Sequence, residues 1–175
     1  MVKVEIYGLA LNLNTHVPII ILRDKKGNIL PIVIGVFEAQ AIVLALEKTK
    51  FFRPLTHDLF KNIIEILESR ILKLEIYQLK NSTYFANLVL KFHNKKIKID
   101  CRPSDGIAIA LRTKVPIYAA KEILEPADII NYYENEEFIN SEKFTKPINE
   151  KEMEEFKKTL DKMTAQNFWE SLNTK

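Results

Sequence analysis

The chain has a single cysteine, Cys101, which excludes an intramolecular disulfide and any multi-cysteine zinc site and fits a reducing compartment. Glycine is nearly as scarce, with four among 175 residues. None of them builds a Walker A loop, a G-x-G-x-x-G turn or a G-x-S-x-G elbow, so P-loop nucleotide hydrolysis and serine-hydrolase chemistry are disfavoured. No apolar run is long enough to span a bilayer, and no membrane association is expected. The first residues open directly into an alternating strand pattern, without the basic region, apolar segment and small-residue cleavage site of an export signal. A cytoplasmic location is therefore the expectation. Repeats of solenoid length and low-complexity tracts are missing too. Nor does one charge dominate: 26 Lys and Arg face 23 Asp and Glu, a net +3. These charges are interspersed along the chain, which permits nucleic-acid binding without arguing for it.

What is present is a core. Apolar residues make up 47% of the sequence, enough for a domain of this length to bury a sizeable interior. Residues 2–13 alternate as a strand, and 17–22 and 29–34 are β-branched runs around the polar turn 23–28, a hairpin. After Gly35, residues 37–48 form an apolar helix with Ala39, Ile42, Val43 and Leu46 at helical spacing, which must be largely buried. A second helix is expected after Pro54, capped by Thr56, with Leu59, Phe60, Ile63, Ile64, Ile66 and Leu67 on its inner face. Stretches 71–79, 84–92 and 96–101 alternate around turns at Asn81-Ser82 and His93-Asn94, an antiparallel meander. A third helix over 107–111, capped by Ser104 or Asp105, is apolar nearly all round. Residues 115–118 read as a short strand, and Pro126 opens a helical piece toward Tyr133. Polar residues 134–147 form a connector. Residues 151–163 form an amphipathic helix with Met153, Phe156, Leu160 and Met163 as its stripe, before a clamp of Phe168, Trp169 and Leu172. The expected class is α+β: a mixed, largely antiparallel sheet packed with several helices over 1–133, then a connector and C-terminal helical tail over 134–175.

Two phrases carry the chemistry, R-P-L-T-H-D at 53–58 and R-P-S-D-G at 102–106. Each places an Arg-Pro pair ahead of a polar capping group and an apolar helical run, so ionisable side chains gather at two helix mouths. Phosphodiester hydrolysis needs an activated water, charge neutralisation at phosphorus and a proton for the leaving oxygen. Glu38, His57, Asp58 and Asp105 suit the proton work, and Asp58 with Asp105 suit Mg²⁺ or Mn²⁺. An acidic residue in a helix's first turn is favoured by the helix dipole whatever the function. Arg53, Arg102 and Arg112 carry forks that fit either a substrate phosphate or one of these carboxylates. Thr56 and Ser104 add hydroxyls where helix N-termini attract phosphate. Cys101, inside a strand, reads as a small buried hydrophobe. Phe51 and Phe52 suit base stacking or, more often, a core or interface.

Through L-P-I-V-I-G-V-F-E-A-Q-A-I at 30–42, R-P-L-T-H-D-L-F at 53–60 and I-D-C-R-P-S-D-G-I-A-I-A-L-R at 99–112, the sequence resembles the bifunctional nuclease (BFN) domain family. Order and spacing agree over residues 2–133, and F-K-K-T-L-D-K-M-T-A-Q-N-F at 156–168 is similar to a tail that many bacterial members carry. The resemblance implies a compact mixed α/β domain, a homodimer or higher homo-oligomer, and nuclease activity on DNA and RNA. It supplies no established catalytic residue set. Gly106 stands where alanine is more usual in the family. The leading expectation is thus a nuclease that hydrolyses phosphodiester bonds in DNA or RNA with divalent-metal assistance. The alternative is a non-catalytic oligomeric ligand-binding or regulatory module. A third reading makes the charged residues an ion-pair network that defines the fold.

Overall fold

β-Branched and aromatic residues recur through the segments that become strands, and the strand period of two decides which side chains meet the helices. In the computed structural model, which describes residues 1–11, 17–49 and 51–126, the strands are β1 (Val2–Leu11), β2 (Pro18–Asp24), β3 (Ile29–Val33), β4 (Ser69–Lys80), β5 (Thr83–Phe92), β6 (Lys95–Cys101) and β7 (Ile117–Ala119). The helices are α1 (Val36–Leu46), α2 (Thr56–Ile66) and α3 (Pro103–Thr113). The strands make one sheet in the order β3-β2-β1-β7-β4-β5-β6. All neighbours run antiparallel except β4 and β7. The class is α+β, as expected. The boundary at 133 and the tail helix over 151–163 lie outside the described residues, as does the helical piece expected after Pro126.

The helices cover one face of the sheet. Leu22, Leu30, Leu74, Ile76 and Leu88 meet Ile42 of α1 and Ile107 of α3, all essentially inaccessible to solvent. Each such side chain contributes about 1.5–3 kcal/mol by leaving water. Gly106 is a close-approach residue: a Cβ there would strike Leu74 Cδ1 and lie 3.2 Å from Cys101 Sγ. Its small size lets α3 settle onto β4. Pro31 sits in β3, an edge strand, where a missing N–H costs no ladder bond.

Several local expectations need correction. The N-cap of α3 is Arg102, with Pro103 in the first turn; Ser104 and Asp105 lie inside the helix and neither caps it. Proline's fixed φ suits that position and wastes no amide. Thr56 is likewise the first helical residue of α2 rather than its cap. The capping contact there comes from the opposite direction, with the Leu55 amide donating to Asp58 Oδ2 at 3.1 Å. Helix α1 buries only Val36, Ala39, Ile42 and Val43, because its other face borders a cleft. Helix α2 fully buries none of its residues. Phe60 and Ile64 touch the core, while Leu59, Ile63, Ile66 and Leu67 remain exposed. Its apolar sector is wider than its supports, which are chiefly α3 and β4.

Helix α3 ends on Lys114, held in the left-handed region at φ 56°, ψ 37°. A side chain there costs about 1–2 kcal/mol that glycine avoids. Lys114→Gly should therefore stabilise the fold by about 0.5–1 kcal/mol once glycine's greater unfolded-state entropy is deducted, read as a raised urea midpoint at unchanged slope.

Candidate functional site

A glycine, two prolines and three helix starts shape one cleft. Gly35 precedes α1, and a Cβ there would collide with the Glu38 carboxylate, so the glycine leaves Glu38 room to fold back over the helix start. Pro54 leads into α2 and Pro103 opens α3. The cleft, about 580 Å³, is lined by Glu38 and Gln40 of α1, Thr56 and His57 of α2, and Arg102, Asp105 and Arg112 around α3, among others. Six of the sequence-nominated residues, Glu38, Thr56, His57, Arg102, Asp105 and Arg112, thus share one solvent-reachable space. Asp58 is not on the wall but is bonded to Arg112, which is. Arg53 is exposed on the loop before Pro54 and lies outside the wall. Ser104 is buried and faces a second, largely apolar cavity of about 590 Å³. Gln40 was not nominated, although it and Glu38 are the only polar residues of α1, a signal the sequence already carried.

Arg102 lies between two carboxylates. Its Nη1 is 2.7 Å from Glu38 Oε1, while Nε and Nη2 donate to Asp105 Oδ2 and Oδ1 at 2.7 and 3.1 Å. The Asp105 fork first, and Glu38 second, push the Arg102 pKa above its ordinary value, so the guanidinium stays charged. His57 Nε2 stands 3.5 Å from Asp105 Oδ1, with most of the ring sheltered. Asp105 therefore faces an arginine on one side and an imidazole on the other. Asp100, two residues before Arg102 at the end of β6, makes no pair with it. Cys101 sits beside these charges, but burial pushes its thiol up to about 11, so it is no nucleophile at neutral pH.

Arg112 has a different setting, with a side chain only 8% exposed. Its Nε donates to Asp58 Oδ1 at 2.8 Å, and its Nη1 donates to the carbonyls of Ala41 and Ala108, both at 2.9 Å. One side chain thus ties α3 to α1 and α2. Among the described residues its Nη2 makes no hydrogen bond. The carboxylates do not fit a metal as they are arranged. Mg²⁺ needs several oxygens converging on one point, whereas Arg102 lies between Glu38 and Asp105, and Asp58 is turned to Arg112. Among the described residues no three His, Cys, Asp or Glu side chains group as a metal site.

These geometries separate structural from labile charges. Arg102 is 65% exposed, and exposed pairs contribute about 0–1 kcal/mol, so Arg102→Ala should cost less than about 1 kcal/mol. Arg112→Met removes the side-chain donor shared by two helix carbonyls and Asp58. Discounted for the partial exposure of Asp58, that substitution should cost about 2–3 kcal/mol, measurable by chemical denaturation of both variants.

The comparisons agree with the motif order. The bifunctional nuclease domain model matches residues 20–131. An uncharacterized protein of Mycobacterium tuberculosis strain H37Rv is 35% identical over 169 residues, covering 96% of this chain and 98% of that one. Bifunctional nuclease 1 of Oryza sativa subsp. japonica is 25% identical over 134 residues, 74% of this chain and 40% of the rice protein. Bifunctional nuclease 2 of the same plant is 30% identical over 111 residues, 61% and 34% of the two chains. The domain match covers more than half of the chain and includes every residue of the cleft wall, and the chain belongs to the bifunctional nuclease domain family.

Proposed function

We propose that this chain hydrolyses phosphodiester bonds in DNA or RNA in the cleft between α1, α2 and α3, with His57 transferring the proton. The observation that carries the reading is the His57–Asp105–Arg102 line at the mouths of two eleven-residue helices. Asp105 orients the imidazole, as a carboxylate does for a general base. Water gives its proton to His57 as its oxygen attacks phosphorus; the bond to the leaving oxygen breaks, and the imidazolium returns the proton to that oxygen. Arg102 exchanges Glu38 for a phosphate oxygen, which its exposure permits. The first-turn amides of α2 and α3, with Thr56 among them, add donors for the same phosphate. Asp58 and Arg112 act as positioning residues. Mg²⁺ and Mn²⁺ take no step in this scheme.

Cleavage of single-stranded and duplex DNA and RNA, with and without Mg²⁺ or Mn²⁺, tests it. His57→Ala and Asp105→Asn should each lower kcat by about 10²-fold or more, while Asp58→Asn should act mainly through stability. Full turnover in both of the first two variants would remove the site. A binding or regulatory module is the second reading. It is favoured by the pairing of Glu38, Asp58 and Asp105 with arginines before any ligand arrives, and it requires nucleic-acid binding with no turnover.

Self-association belongs to the same proposal, in a cytoplasmic setting. Among the described residues, no helix is long and apolar enough to cross a membrane. Phe51, Phe52, Leu59, Ile63, Ile66 and Leu67 are nevertheless exposed on or beside α2, more apolar surface than a lone domain usually leaves in one region. A homodimer or larger homo-oligomer would cover it. Ile66→Lys, at a residue 79% exposed, should shift sedimentation equilibrium toward the monomer without lowering the melting temperature; an unchanged mass would place the interface elsewhere.

A further inference from the structure

The sheet face turned away from the helices carries a feature that the linear order of charges conceals. Arg70 of β4 is in register with Lys91 of β5, and Lys91 with Lys96 of β6. Residues directly opposite one another share a face, so three cations form a row across three adjacent strands. Their intervening neighbours Ile71 and Leu90 are buried in the core, which places the row on the opposite side. The next row on that face is Lys73, Val89 and Lys98. There the charges are compensated: Glu75 holds Lys73 at 2.6 Å and Lys98 at 2.9 Å. Burial works to raise the Glu75 carboxyl, and the two ammoniums more than offset it, keeping it below its ordinary value.

Glu75 is therefore committed, and among the described residues Arg70, Lys91 and Lys96 form no ion pair. All three are exposed. Like charges directly opposite one another destabilise a sheet, so this row costs the free protein stability. A polyanion laid across it relieves the repulsion and releases the polyanion's counterions.

We propose that the Arg70–Lys91–Lys96 row is a second nucleic-acid contact that grips the sugar-phosphate backbone apart from the cleft. The class of partner rests on the nuclease reading. The fold itself favours a linear polymer over a membrane or an acidic protein. The row runs to the edge strand β6, and β6 leads from Lys96 through Cys101 to Arg102 of the cleft. Six residues of extended chain separate the two points, about 20 Å. A backbone with regularly spaced charge reaches over that edge and touches both.

The test is the salt dependence of binding, measured by anisotropy on labelled (dT)₃₀ with the intact chain. Replacing Arg70, Lys91 and Lys96 together by glutamine should weaken binding and reduce the slope of log K against log salt by about 2, at about 0.7 per lost single-strand contact. A control triple at exposed lysines off the row, Lys25, Lys48 and Lys121 to glutamine, should leave the slope in place. Thermal melts followed by circular dichroism should show the row variant melting no lower than the parent, because it loses a repulsion. An unchanged slope overturns the proposal, as does an equal loss in the control. Capture by phosphatidylglycerol vesicles that depends on the row while (dT)₃₀ binding does not would assign it to a membrane and overturn it as well. A reduced slope in a chain that cleaves nothing leaves this contact standing and removes the nuclease reading; cleavage with an unchanged slope does the reverse.

Discussion

The cleft exists because one buried guanidinium is shared by three helices. Arg112 leaves α3, is sheltered from solvent over most of its side chain, and directs its donors to Asp58 of α2, the Ala41 carbonyl of α1 and the Ala108 carbonyl one turn behind it. Helix packing through apolar contacts alone tolerates sliding and rotation over a few ångströms. A planar fork with fixed donor directions does not. Because α1 and α2 each bring residues to the cleft, the distance between Glu38 and His57 depends on this joint more than on either helix's own contact with the sheet.

The two arginines of the cleft share a chemistry and differ in surroundings. Arg112 is sheltered, so its bonds act in a medium that strengthens them and penalises their loss. Arg102 is open to water, so its pairs with Glu38 and Asp105 exchange at little cost. A cleft that holds its shape while one of its cations can exchange partners needs both kinds. Gly35 contributes to the labile half by leaving space for the Glu38 carboxylate at the start of α1.

The hairpin and the meander were legible because period-two alternation and turn residues are local signals, whereas the insertion of β7 between β1 and β4 was not. The helix starts were legible as regions and misread in detail, since Pro103 takes a position that a capping side chain would otherwise mark. The exposed apolar side of α2 was not legible. Periodicity says that a helix has an apolar face but not how much neighbouring surface meets it. For the candidate site, the two Arg-Pro phrases mark residues that the fold brings to one cleft. Which charge answers which was hidden, because Arg112 and Asp58 lie 54 positions apart and Arg112 and Ala41 lie 71 apart. The basic row was hidden for the same reason: Arg70, Lys91 and Lys96 look interspersed until two hairpins bring them side by side.

The placement of β7 has a consequence for how the chain is made. Three residues, Ile117–Ala119, lie between β1 and β4 and are, among the described residues, the only strand joining β3-β2-β1 to β4-β5-β6. During synthesis each three-stranded half can pair within itself by local hairpins, yet β1 and β4 expose facing edges until residue 119 has left the ribosome. Those edges are templates for pairing with other chains. The nascent protein's exposure to misassembly therefore ends late, with the arrival of its shortest strand rather than with the collapse of its core.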